Sequence, residues 1–96
     1  MELEQLLNQV VDRSSFFTFV AALVADKEDD TKKEILTPSN PYGRTINGWE
    51  NRTIERYLGA ALSWAEDTDM GQTQGISEEL SWKAFAVFLY AGKIYE

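Results

Sequence analysis

Apolar residues recur along this chain at helical spacing, interrupted by polar breaks. Leu3, Leu6, Leu7, Val10 and Val11 fall at i, i+3, i+4, i+7 and i+8, which is one face of a helix. The spacing predicts a first helix from about Glu2 to Val11. Glu2 and Glu4 stand in its first turn, where the helix dipole favours negative charge. Asp12-Arg13-Ser14-Ser15 breaks the pattern, and the hydroxyl of Ser14 or Ser15 is suited to cap the next helix. That helix is predicted from Phe16 to at least Ala25, with Phe16, Phe19, Val20, Leu23 and Val24 as its buried stripe.

After Ala25 the chain turns polar through Asp26-Lys27-Glu28-Asp29-Asp30-Thr31-Lys32-Lys33. Glu28 with Lys32, and Asp29 with Lys33, have the favourable i,i+4 order that would carry the helix onward into solvent. With no apolar stripe to hold it, the helix equally stops at Asp26. Leu36 to Gly48 contains both prolines and the pairs Thr37-Pro38, Asn40-Pro41, Tyr42-Gly43 and Asn47-Gly48, all turn signals. A long irregular loop is expected. Asn47-Gly48, between Ile46 and Trp49, also fits a very short β-hairpin, which needs packing against helices to persist.

A third helix is capped by Asn51 or Thr53 and ends around Asp67 to Asp69. Ile54, Tyr57, Leu58, Ala61, Leu62 and Ala65 form its expected buried stripe. Gly71 and Gly75 mark a loop. A fourth helix follows Ser81 and runs from Trp82 nearly to Tyr95, apolar on most sides, so it is expected to be central and buried or paired with another chain. The prediction is an all-α single domain over residues 1–96, a compact bundle of about four helices with one long Pro/Gly-containing loop.

Composition narrows the chemistry. Three Trp, four Tyr and five Phe in 96 residues supply the area that a small core needs. There is no Cys and no His, so the commonest nucleophile, general base and transition-metal ligands are missing. The lack of Cys also favours a reducing, cytoplasmic setting, and the acidic N-terminus lacks the basic start of a signal peptide. A net charge of −7 argues against a nucleic-acid groove and against an anionic membrane surface. No cofactor is expected. Asp67-Thr68-Asp69 and the following glycines offer no register with the ligands of a calcium-binding EF-hand loop. Trp82 and Trp64 are read as core residues, and Trp49 as the tryptophan most open to solvent.

Three segments carry a resemblance: Phe16-Phe17-Thr18-Phe19-Val20-Ala21-Ala22-Leu23, Trp49-Glu50-Asn51-Arg52-Thr53-Ile54-Glu55-Arg56-Tyr57-Leu58, and Ser81-Trp82-Lys83-Ala84-Phe85-Ala86 with the closing Lys93-Ile94-Tyr95-Glu96. Together they resemble an uncharacterised family of small acidic bacterial domains with a Trp-x-Asn-x-Thr helix entry and a final Ser-Trp helix ending in Ile-Tyr-Glu. Leu36 to Gly48 looks like an insertion relative to that pattern. The resemblance implies a fold and carries no activity.

The expectation for function is a non-enzymatic protein-binding domain, such as an immunity or inhibitor protein, with an acidic face for a basic protein partner. That face would combine Asp26, Glu28, Asp29, Asp30, Glu66, Asp67 and Asp69 with Trp49. The alternative is a structural or regulatory accessory domain that self-associates. An enzyme using carboxylates alone is the least favoured reading.

Overall fold

The computed structural model describes residues 2–76 and 81–95. The described residues form four α-helices and no strand: α1 (Leu3–Asn8), α2 (Arg13–Leu36), α3 (Ile54–Thr68) and α4 (Trp82–Ile94), with a short 3-10 turn at Gln72–Gln74. None of these helices is long and apolar enough to cross a membrane. The all-α bundle and its long loop are therefore as the pattern predicts. Glu96 of the closing motif lies outside the described residues.

Local chemistry sets the helix ends. The cap of α2 is Asp12, ahead of both Ser14 and Ser15. Its carboxylate accepts from the Ser15 N–H at 2.9 Å, and the Ser15 hydroxyl oxygen accepts from the Val11 and Asp12 N–H groups. This reciprocal cap stops α1 at Asn8, short of the predicted Val11. Val10 then drops into the core while Val11 stays exposed. Thr53 caps α3 and Ser81 caps α4, each accepting from an N–H three residues on. At the far end of α3, Asp69, Met70 and Gly71 all take positive φ. The buried Thr68 hydroxyl steadies this turn, donating to the Trp64 carbonyl and accepting from the Gly71 N–H.

The core gathers Val10, Phe19, Leu23, Trp49 and Ala86, with Leu3, Leu6, Leu7, Phe16, Val20, Tyr57, Leu89 and Tyr90 packed around them. α1 lies on α2 and α4, while α2 and α3 each pack on α4 without packing on each other. Small residues let α3 approach α4 closely: a Cβ added to Gly92 would stand 2.7 Å from the Tyr57 ring. The Tyr57 hydroxyl donates to the Leu89 carbonyl at 2.7 Å.

Three expectations are corrected by this packing. Trp49 is 4% exposed rather than open, and Trp82 is 38% exposed rather than deeply buried. Trp82 instead caps the N-terminal ends of α2 and α4, its ring 5.2 Å from that of Phe16. Asn47-Gly48 forms no two-residue hairpin. Asn47 has no positive φ, as a tight hairpin would need, and Gly48 alone does. The turn is closed by the Gly48 N–H on the Thr45 carbonyl and the Thr45 N–H on the Trp49 carbonyl.

Candidate functional site

α2 does not stop at Asp26. It continues for ten more residues to Leu36, because the loop folds back and supplies the donors its acidic face needs. Asp26 accepts from the Trp49 indole N–H at 2.8 Å, the Lys93 ammonium at 2.9 Å and the Asn47 side chain. Lys93 also lies 5.4 Å from the centre of the Trp49 ring. Asp30 is 0% exposed; one of its oxygens accepts from the Asn47 N–H at 2.9 Å, and Lys27 stands 3.5 Å from the other. Asp29 accepts from Asn47 and pairs with Lys33 at 2.8 Å, which lowers the Asp29 pKa and raises that of Lys33. Glu28 and Lys32 form no such pair.

Glu34 closes the loop's other side. It accepts from the hydroxyl and N–H of Ser39 and from the Ile46 N–H, and Arg52 approaches at 3.4 Å. The Ser39 hydrogen bond chiefly holds the Glu34 carboxyl below its ordinary value. Arg52 donates to the carbonyls of Asn40 and Gly43. Asn51 donates to the carbonyls of Gly92 and Tyr95, both at 2.9 Å. These are groups that the end of α4 leaves without helical partners. The Trp-x-Asn-x-Thr segment is thus a clasp: Trp49 holds α2, Asn51 holds α4 and Thr53 starts α3.

This geometry divides the expected acidic face. Asp26, Asp30 and Trp49 are committed inside the domain, so Asp30 and Trp49 are not offered to a partner; Asp29 is exposed but tied to Asn47 and Lys33. Glu28, Glu66, Asp67 and Asp69 are exposed. Asp67 accepts from the Tyr95 hydroxyl, which raises the Tyr95 pKa. No group of three or more carboxylates gathers as a metal cage among the described residues.

The face left open is apolar and lies on α3. The buried side of this helix is Ala60, Ala61, Trp64 and Thr68, with Tyr57 beside them. That is roughly a fifth of a turn away from the predicted stripe. Trp64 and Tyr57 present more area and a hydrogen-bonding group each, and they take the inner positions. The Trp64 indole donates to the Gln74 side chain at 3.1 Å. Ile54, Leu58 and Leu62 are displaced outward, 73%, 50% and 55% exposed. They form one i,i+4 row that ends at Glu66. At its Ile54 end the row opens onto a hollow of about 380 Å³ between α2 and α3, walled by Leu23, Val24, Trp49, Ile54 and Tyr57. Beside the row stands Gly59, in mid-helix and exposed; a Cβ there would meet nothing within 4 Å. Glycine costs about 1 kcal/mol against alanine at such a position, and no packing within the domain requires it.

Residues 12–96 match the model of a family of unknown function, DUF7660. The chain belongs to this family. The match opens at the Asp12 cap of α2 and includes every residue of the Trp49–Thr53 clasp, so α1 precedes the matched region. No curated protein and no solved structure matches the chain.

Sequence reasoning named the clasp as a fold motif but missed its partners. Lys93, in the last turn of α4, is buried against Asp26 rather than displayed at the helix end. The available signal was a single charge inside the apolar run Ala91-Gly92-Lys93-Ile94. The α3 row was missed because its residues fit a buried stripe equally well.

Proposed function

We propose that this domain is a non-catalytic protein-binding module whose contact face is the Ile54, Leu58 and Leu62 row of α3 with the adjoining hollow. Its partner is a basic protein. The carrying observation is the row itself: three large aliphatic side chains in register, left uncovered by a fold that buries alanines behind them. Isolated apolar residues on a surface need no explanation, whereas a contiguous set beside a hollow fits a contact site.

Charge supports the choice of partner. The chain carries −7, and Glu28, Glu55 and Glu66 stand around the row and the hollow without an ion pair among the described residues. Complementary charge speeds encounter and excludes acidic competitors. An inhibitor or immunity protein that masks a basic surface has this chemistry, and a cysteine-free chain suits the cytoplasm. The perturbed acids and bases do not favour catalysis: those of Asp29, Lys33, Glu34 and Tyr95 each follow from a tether within the fold.

The test is a Leu58→Gln/Leu62→Gln double variant, which keeps good helix formers at exposed positions. Both proteins, immobilised, are challenged with lysate of the native source at low and high salt. A basic protein held by the wild type, and lost both in the variant and at high salt, is the expected result. Identical retention by the two proteins would remove the α3 face from consideration.

A further inference from the structure

We infer that Asn47 is a site of spontaneous deamidation, gated by the loop, and that losing its amide irreversibly releases the second half of α2. Asn47-Gly48 is the pair in which this reaction is easiest. Glycine has no Cβ to crowd its own backbone nitrogen, so in an open chain that nitrogen reaches the Asn47 side-chain carbon. Among the asparagines only Asn47 precedes glycine; Asn8 precedes Gln9, Asn51 precedes Arg52, and Asn40 precedes Pro41, whose nitrogen carries no hydrogen. In the reaction the Gly48 nitrogen loses its proton and bonds to Asn47 Cγ. The Cγ–Nδ2 bond breaks, ammonia leaves, and a cyclic succinimide remains. Water then opens the ring at either carbonyl, giving aspartate or isoaspartate, with no electron gained or lost.

The closed loop blocks each part of this step. The Gly48 N–H donates to the Thr45 carbonyl at 2.9 Å, so the attacking nitrogen is held in a turn. Asn47 Nδ2 donates to the Asp26 carbonyl, the Asp26 carboxylate and the Asp29 carboxylate at 3.1, 3.3 and 3.0 Å, and its Oδ1 accepts from Lys33 at 3.4 Å. The neighbouring carboxylates also oppose loss of the Gly48 proton, which leaves an anion. Conversion therefore runs through local openings of the loop. Afterwards the loop no longer fits. The new carboxylate cannot donate, and in the place of the amide it faces Asp26, Asp29 and Asp30. The cations there are already paired: Lys33 with Asp29, Lys93 with Asp26 and Lys27 with Asp30. Isoaspartate also lengthens the main chain between the Asn47 N–H, which Asp30 holds, and the Gly48 turn.

The test ages the full chain in mildly alkaline buffer below its melting temperature, beside the same chain unfolded in urea. Peptide mass spectrometry follows all the asparagines and separates isoaspartate from aspartate. Asn47 is expected to convert in the native chain ahead of Asn8, Asn40 and Asn51, at least about tenfold more slowly than in urea, with isoaspartate among the products. Glu34→Ala frees Ser39 and Ile46 without touching Asn47. It should speed native conversion several-fold and leave the urea rate unchanged. The aged protein, and Asn47→Asp made directly, should lose exchange protection from Asp30 to Leu36 while keeping it in α4. Asn47→Asp should also melt lower than Asn47→Ala, by a margin that salt narrows. No native conversion, conversion at the urea rate, or indifference to Glu34→Ala overturns the gated site. Aspartate with no isoaspartate overturns attack by Gly48. Full protection in the converted chain overturns the release, and equal melting of Asn47→Asp and Asn47→Ala overturns charge repulsion as its cause.

Discussion

Asp26 holds together two parts of the chain that are 67 residues apart. Its partner Lys93 is buried, so replacing the carboxylate strands an ammonium in the interior. Asp26→Asn is expected to cost about 3 kcal/mol or more. Asp26→Asn combined with Lys93→Met should cost less than the sum of the two single changes, because the double variant leaves no unpaired charge. A double-mutant cycle by urea denaturation checks this; strict additivity would mean that the pair is not coupled. Gly92 makes the opposite kind of prediction. A methyl group there meets the Tyr57 ring, so Gly92→Ala should destabilise by about 1–3 kcal/mol through overpacking, although alanine is the better helix former. A rise in thermal stability would contradict the close approach of α3 and α4.

Two halves of α2 are held by different forces. The half from Phe16 to Val24 packs by apolar area, which its spacing makes legible in the sequence. The half from Asp26 to Leu36 is held by carboxylates reaching loop donors, and no periodicity announces that. The sequence therefore left open whether the helix stops at Asp26. Asn47 decides it by engaging Asp26, Asp29 and Asp30. Asn47→Ala should leave the core intact but strip hydrogen-exchange protection from the amides of Asp30 to Leu36; unchanged protection would show that the loop is not the tether. Acid should loosen the same half. The carboxyls of Asp29 and Glu34 titrate below their ordinary values of 3.8 and 4.5. Their stabilisation is present above the unfolded values and is lost as pH falls through the lower folded ones. Exchange protection should accordingly drop below about pH 4, and Glu34→Gln should blunt the drop. On α3 and α4 the caps Thr53 and Ser81 were legible, because hydroxyls before apolar periodicity have a local cause. The rotation of α3 was not, because the contest between Leu58 and Trp64 for inner positions is settled by α4.

The molecule as a whole measures 42 × 28 × 18 Å, a long slab set by α2, with the core between α1, α2 and α4 and the open row on α3. Its alkaline limit is set by tyrosines in that slab. Burial pushes Tyr57 and Tyr90 up to about 12, and for Tyr90 the hydrogen bond to Glu4 adds to it. The phenol form is thus favoured by the fold. Its contribution is complete below the ordinary value of 10.0 and is lost as pH rises from there through about 12. Stability should fall above about pH 10 together with a cooperative rise in tyrosinate absorbance, whereas tyrosines ionising at their ordinary value without loss of helix would contradict the packing. The three indoles also turn the slab into its own set of gauges. Trp49 sits in the clasp against two ammonium groups, Trp64 lies under the α3 terminus, and Trp82 is half-open at the start of α4. Single-tryptophan proteins would therefore emit at different wavelengths and report separate regions. Fluorescence kinetics can show whether the clasp closes before or after α3 docks, with no dye attached to the chain.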